Sequence, residues 1–170
     1  MHKIGRLQIY FILAIALLIQ LTLLDHIKIF GIKPDLMLIP VIFFGLFLGS
    51  GKGLESGIAA GILKDLFALD FFGINACILG VTGLLAGVLG TKFSRESKNT
   101  QILLVVFLTA FSMTLHYVVA SIFSKWINID FGDYVWSAVI PTSVYTTLLS
   151  IPIFSKLMKR YEVRGSEDYL

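Results

Sequence analysis

One cysteine, Cys77, stands alone in the chain, so no internal disulfide is available. A single thiol without a set of partner histidines also makes no recognisable metal site, and redox chemistry, zinc and any bound cofactor are not expected. Charge is scarce as well. Asp, Glu, Lys and Arg make up 15% of the 170 residues and hydrophobic residues 56%, whereas soluble domains carry about 25% charged and about 45–50% apolar residues. The longest polar stretches, 92–101 and 156–170, are too small to build a core of their own. That excludes a soluble domain, and residues 1–170 read as a single integral membrane domain. Catalytic signatures are missing too: there is no Gly-x-Ser-x-Gly, no His-Glu-x-x-His and no phosphate-cradling glycine loop. One acid and one histidine are too few for an enzymatic claim. The net charge of +3 comes from cations spread through the loops rather than gathered in a stripe, so a nucleic-acid partner is not expected.

What the sequence does hold is a series of apolar runs separated by short polar gaps. They approach the roughly 20 residues that cross a hydrocarbon core about 30 Å thick. The predicted spans are 7–24, 35–48, 54–69, 74–91, 102–124 and 135–157, giving an all-α membrane protein of about six transmembrane helices. The first follows Lys3 and Arg6 like a signal sequence but has no small-x-small cleavage pattern before Asp25, so it is kept as a span. The second and third are short, and a re-entrant or buried helix fits their length as well. With six crossings, Lys3, Arg6, Lys52, Lys92, Arg95, Lys98, Lys156, Lys159, Arg160 and Arg164 fall on one side. Only Lys28, Lys33 and Lys125 fall on the other, and Lys64 lies within a span. The positive-inside rule then puts the first set, and both termini, in the cytoplasm of a multi-pass protein of the cell inner membrane. The asymmetry bears on orientation more than on span number, which stays open between five and six. The mixed-charge tail reads as a solvated end.

Glycine patterning is the next feature. Gly53, Gly57, Gly61 and Asp65 recur every four residues in the third span, and Gly73, Gly80, Gly83, Gly87 and Gly90 share one narrow face in the fourth. Gly45 and Gly49 extend the pattern into the second. Small-residue faces let helix backbones approach closely in lipid, where packing drives association. Such a face serves an intramolecular seam or a partner. Lys64 and Asp65 stand out because charges inside a membrane are costly and mark a site or a structural lock. The plainer alternative has Lys64 snorkelling outward while Asp65 is hydrogen-bonded within the bundle. At 1.5 Å per residue, Asp65 lies about 16 Å from Leu54, His116 about 21 Å from Ile102 and Gln20 about 20 Å along the first span. Asn75 opens the fourth span at the outer side. An outer-half polar cluster of Gln20, Lys64, Asp65, Asn75 and His116 follows, with Thr109 and Ser112 on the His116 face. Satisfaction of His116 by a hydroxyl or backbone group is the alternative to a proton relay. Thr142, Ser143, Thr146, Thr147 and Ser150 line the sixth span, which Pro141 and Pro152 are expected to kink.

Three short motifs carry a family resemblance: Pro34-Asp35-Leu36, then Gly57-x-x-x-Gly61-x-x-x-Asp65-Leu66, then Phe72-Gly73-Ile74-Asn75. Across residues 34–90 the chain resembles the rod shape-determining MreD family, with Lys64 a departure at a position where the family more often has an apolar residue. The resemblance implies a non-enzymatic membrane scaffold of the bacterial elongation machinery, the elongasome. Such a protein binds the bitopic protein MreC and helps control peptidoglycan synthesis, the cell wall and rod cell shape. It works with RodA and its class B penicillin-binding protein, with MreB filaments on the cytoplasmic side and membrane lipid around it. Pro34, Asp35, Gly57, Gly61, Asp65, Gly73 and Asn75 become candidates for partner binding or structure. The fold also looks similar to the S component of energy-coupling-factor transporters, which gives the alternative of a substrate-binding membrane subunit of a vitamin-type transporter. Those proteins usually carry an Ala-x-x-x-Ala docking face on the first helix. Here Ala14 and Ala16 are two apart and point to different faces.

Overall fold

The computed structural model describes residues 5–23, 33–67, 72–93, 97–123 and 130–166, with side chains described as far as residue 159. The regular structure among them is helical: α1 (Arg6–Leu23), α2 (Leu38–Leu48), α3 (Ser50–Asp65), α4 (Ile74–Lys92), α5 (Lys98–Phe123) and a sixth rod. That rod runs without a break through α6 (Phe131–Tyr134), a π-helical stretch (Val135–Val139) and α7 (Ile140–Ser166). Among the described residues three stretches are long and apolar enough to cross a membrane: Ile74–Lys92, Lys98–Ile122 and Phe131–Lys159. Arg6–Thr22 and Leu38–Leu48 are apolar but shorter. The predicted ends at Leu24, Leu69 and Ser124 lie outside the described residues.

Two boundaries differ from expectation for local reasons. The second helix starts at Leu38 rather than Asp35, because Asp35 lies outside it and turns its carboxylate onto the first helical N–H groups. The third starts at Ser50, four residues before Leu54, and its last helical residue is Asp65. Hydropathy places its start late because Ser50, Gly51, Lys52 and Gly53 are not apolar. The break before it is a single residue, Gly49, at φ 92°. This left-handed backbone is open to glycine and strained for other residues. Across the break, Gly49 N–H donates to Gly45 O and Gly53 N–H to Gly49 O, so α2 and α3 form a tight hairpin with no free linker.

The hairpin sits in the middle of the bundle. Nine consecutive residues of α2, Leu38 to Leu46, are buried, so no face of that stretch meets lipid. Phe43 meets Phe154 of α7 edge to face with centroids 5.2 Å apart, while Ile9, Leu13 and Leu17 of α1, spaced four apart, close the core from another side. The sixth rod stays helical through both prolines. Pro141 has no N–H to give and its ring crowds the preceding turn. The chain answers with the wider π stretch immediately before it, in which Ile140 N–H reaches back five residues to Val135 O.

Candidate functional site

The glycine repeat places α3 against α4. A Cβ built at Gly53 would strike the backbone of Gly83, one at Gly57 the backbone of Leu79 and Gly80, and one at Gly61 the backbone of Ala76 and Asn75. From α4, Gly83 meets Gly53, Gly87 meets Ser50 and Gly90 meets Leu46. As the α3 number falls, the α4 number rises, so the two helices run antiparallel with backbones in direct contact. Gly45 of α2 joins the same seam against Ala86 and Gly83. Contact this close forgoes side-chain interdigitation and relies on backbone proximity, as small-residue seams in membranes do.

At one end of the seam Asp65 holds the start of α4. Its carboxylate accepts four hydrogen bonds: Gly73 N at 2.9 Å and Ala76 N at 3.2 Å on Oδ2, Asn75 N at 3.2 Å and Asn75 Nδ2 at 2.7 Å on Oδ1. Three of these donors are backbone N–H groups of the first turn of α4 and the residue before it, which have no intrahelical acceptor of their own, and the fourth is the Asn75 side-chain amide. A negative charge there also complements the helix dipole. Gly73, at φ 98°, supplies the left-handed turn into α4. Asp65 is 4% exposed, Asn75 6%.

A second junction forms around Asp35. Its Oδ1 accepts from Met37 N at 3.1 Å and Leu38 N at 3.3 Å, and its Oδ2 accepts from Lys64 Nζ at 2.6 Å. Asp35 N donates to Thr146 Oγ1 of α7 at 3.1 Å, and Met37 N also donates to Gln20 Oε1 of α1 at 3.1 Å. His116 of α5 lies within electrostatic range of Asp35. Asp35 thus ties the start of α2 to α3 and α7 directly, with α1 joined through Met37. Nearby hydroxyls of α7 turn inward: Thr147 Oγ1 donates to Ser143 O and Ser150 Oγ to Thr147 O, both at 2.7 Å.

The expected cluster of Gln20, Lys64, Asp65, Asn75 and His116 therefore resolves into two. Lys64 goes to Asp35, Gln20 joins that junction through Met37 N with His116 within electrostatic range, and Asn75 goes to Asp65. Lys64 neither snorkels alone nor pairs with its neighbour Asp65, since consecutive helical residues point about 100° apart. Pro34 precedes the Asp35 junction. At the opposite end of α3 lies a group that sequence reasoning missed. Glu55 accepts from Tyr10 OH at 3.0 Å and pairs with Arg6 Nε at 3.0 Å and Lys52 Nζ at 2.8 Å, pinning α1 to α3. The available signal was an acid inside a predicted span, three residues after a lysine. Arg6 and Lys52, which the charge count assigns to one side of the membrane, do meet at one end of the bundle.

These features define a class: a small all-helical membrane protein whose centre is a glycine-packed hairpin and whose carboxylates hold helix ends together. The chain belongs to the MreD family, whose model, described as rod shape-determining protein MreD, matches residues 1–161. It is accordingly a shape-determining membrane protein. No curated protein and no solved structure is significantly similar to it.

Proposed function

We propose that the chain is a non-enzymatic scaffold of the bacterial elongation machinery, binding MreC and helping to control peptidoglycan synthesis and rod cell shape. RodA and its class B penicillin-binding protein are reached indirectly, and MreB lies on the cytoplasmic side. The family match over residues 1–161 carries the reading. Its physical support is the use made of the polar residues: Asp35, Glu55 and Asp65 each bind donors from neighbouring segments of this same chain. A carboxylate saturated in this way fixes helix positions and so shapes a surface for a partner. Purification from native membranes tests the proposal. MreC is expected to co-purify, with RodA at lower recovery. Recovery of a transporter ATPase or a tightly bound vitamin in its place would favour the transporter subunit.

The same proposal places the protein in the inner membrane with both termini cytoplasmic, following the distribution of Lys and Arg. Cysteines introduced singly at Ser97 and Ser166, after removal of the exposed Cys77, are expected to resist an impermeant maleimide added to intact spheroplasts. One at Asn128 is expected to label. Labelling at Ser97 without permeabilisation would reverse the orientation.

A further inference from the structure

A hydroxyl inside a helix has an easy refuge, the backbone carbonyl three or four residues earlier. On α5 and the sixth rod five hydroxyls take it: Thr114 donates to Ala110 O, Ser121 to Tyr117 O, Ser137 to Asp133 O, Thr147 to Ser143 O and Ser150 to Thr147 O. Two others do not. Thr109 Oγ1 and Ser143 Oγ have no hydrogen-bond partner among the described residues, although Thr109 is 0% exposed and Ser143 3%. A buried hydroxyl left unbonded is costly, so each of these needs a partner from elsewhere.

Both lie between α5 and the rod. Gln101 Nε2 meets Met158 Sδ at 3.7 Å toward one end of this pair, and Tyr117 meets Tyr134 toward the other with ring centroids 4.9 Å apart. The two helices therefore run antiparallel, with Thr109 and Ser143 between these contacts, about 12 Å and about 13 Å of helix from the tyrosines. Their rotation agrees. At about 100° per residue Thr109 falls on the arc from Gln101 to Tyr117, which meets the rod, and Ser143 falls between Thr146, bonded to Asp35, and Met158.

The packing of α5 changes at this level. Over 101–109 the buried residues are Gln101, Leu104, Val105, Leu108 and Thr109, and those between them are exposed except none on the sealed face. Over 110–117 Ser112 is buried and the other seven residues are half-buried, whichever face of the helix they occupy. Opposite that stretch the rod has no buried residue before Val139. The joint is sealed on the Gln101 side of Thr109 and loose on the Tyr117 side, where His116 lies within electrostatic range of Asp35. A lipid tail entering there would leave both hydroxyls unbonded, and an added ion would lack a counter-charge, since Asp35 is already paired with Lys64. Water is small, and it both gives and accepts hydrogen bonds.

We propose that α5 and the rod hold a crevice of ordered water, open at the Tyr117–Tyr134 end and closed at Thr109 and Ser143, whose hydroxyls bind its innermost molecules. The crevice brings solvent to within one helical turn of the bond between Thr146 and Asp35. The inference depends neither on MreC binding nor on the orientation of the chain.

Thiols test for water, because the thiolate is the reactive form and a thiol among packed side chains or lipid tails does not ionise. The full chain is placed in lipid nanodiscs, which leave both membrane surfaces accessible, with the exposed Cys77 replaced by serine. Single cysteines are Thr109→Cys and Ser143→Cys in the crevice, Leu108→Cys at a buried position and Val106→Cys at an exposed one. Silver ion is added, and the thiols left free are counted with a maleimide after denaturation. Blocking at the two crevice positions is expected to be on the order of tenfold faster than at the other two. Slow blocking at either crevice position, or one rate at all four, would overturn the proposal. Thermal unfolding gives a second arm through Thr109→Val and Ser143→Ala. Loss of a hydroxyl that binds water is expected to lower Tm by about 2–4 °C, whereas loss of an unbonded hydroxyl from a dry joint leaves Tm unchanged or raises it. An unchanged or higher Tm in either variant would therefore also sink the idea, and this arm decides the matter if a cysteine variant does not fold.

Discussion

Replacing Gly57 and Gly61 together with leucine is expected to remove the protein from the membrane almost completely. At both positions even a methyl group would collide with the α4 backbone rather than with a side chain able to rotate away. Overpacking a core costs typically about 1–3 kcal/mol per site, and backbone contact on both sides leaves α3 and α4 no local way to yield. The smaller change to alanine is expected to lower abundance too, because the steric limit is at Cβ itself. Leucine at Gly51, where a Cβ meets nothing within 4 Å, is the control and should be tolerated. Immunoblotting of membrane fractions, with thermal unfolding of whatever accumulates, makes the measurement. Normal abundance of the double leucine variant would mean that α3 and α4 do not pack through these glycines.

The second large effect is expected at Asp65. Leucine there would strand four donors at the start of α4, and each buried donor without an acceptor costs about 1–3 kcal/mol. Asparagine is a partial replacement. Its single carbonyl oxygen can keep the two bonds from Asn75, but its amide nitrogen would then face the N–H groups of Gly73 and Ala76, donor against donor. The expected order is therefore wild type, Asp65→Asn, Asp65→Leu, both in thermal stability and in rescue of cell shape. Mutating Lys64 should not reproduce the Asp65 defect, since Lys64 is bonded to Asp35. A catalytic base would give a different pattern, because an amide cannot take up and release a proton and Asn would be as inactive as Leu. Equal inactivity of the two variants at normal abundance and unchanged thermal stability would point to proton transfer or ligand binding at Asp65 and against its role as an anchor.

Much of this architecture was legible because lipid imposes simple demands. Runs of apolar residues mark α1, α4 and α5 to within four residues and the start of the sixth rod as closely, though its helix continues nine residues past the predicted end, and the four-residue glycine period marks a close helix face. The pairing of polar residues was not legible. Lys64 and Asp65 are adjacent in sequence, which invites reading them as a pair, yet their partners come from residues 29 positions earlier and 8 to 11 positions later. Which acid meets which donor is decided by helix rotation and by the Gly49 and Gly73 turns, neither of which hydropathy registers. Glu55 was hidden for a related reason. It sits half-buried on a short helix, and its partners Arg6 and Tyr10 lie about fifty residues away in the chain. The π stretch before Pro141 is a local answer to a sequence cue that announced a disturbance but not its form.

The single-residue turn at Gly49 has a consequence for how the chain enters the bilayer during synthesis. The 11 residues of α2 are apolar throughout but cover only about 17 Å, and α3 carries Lys52, Glu55, Lys64 and Asp65. Neither segment meets by itself the length and apolarity that insertion of an independent helix requires. Joined with no slack, they are expected to leave the translocation machinery as one unit. That unit is incomplete until α4 emerges, because the backbone surface at Gly53, Gly57 and Gly61 has its counterpart there. The order of the chain thus sets an order of assembly in which the centre of the molecule waits on the helix that follows it.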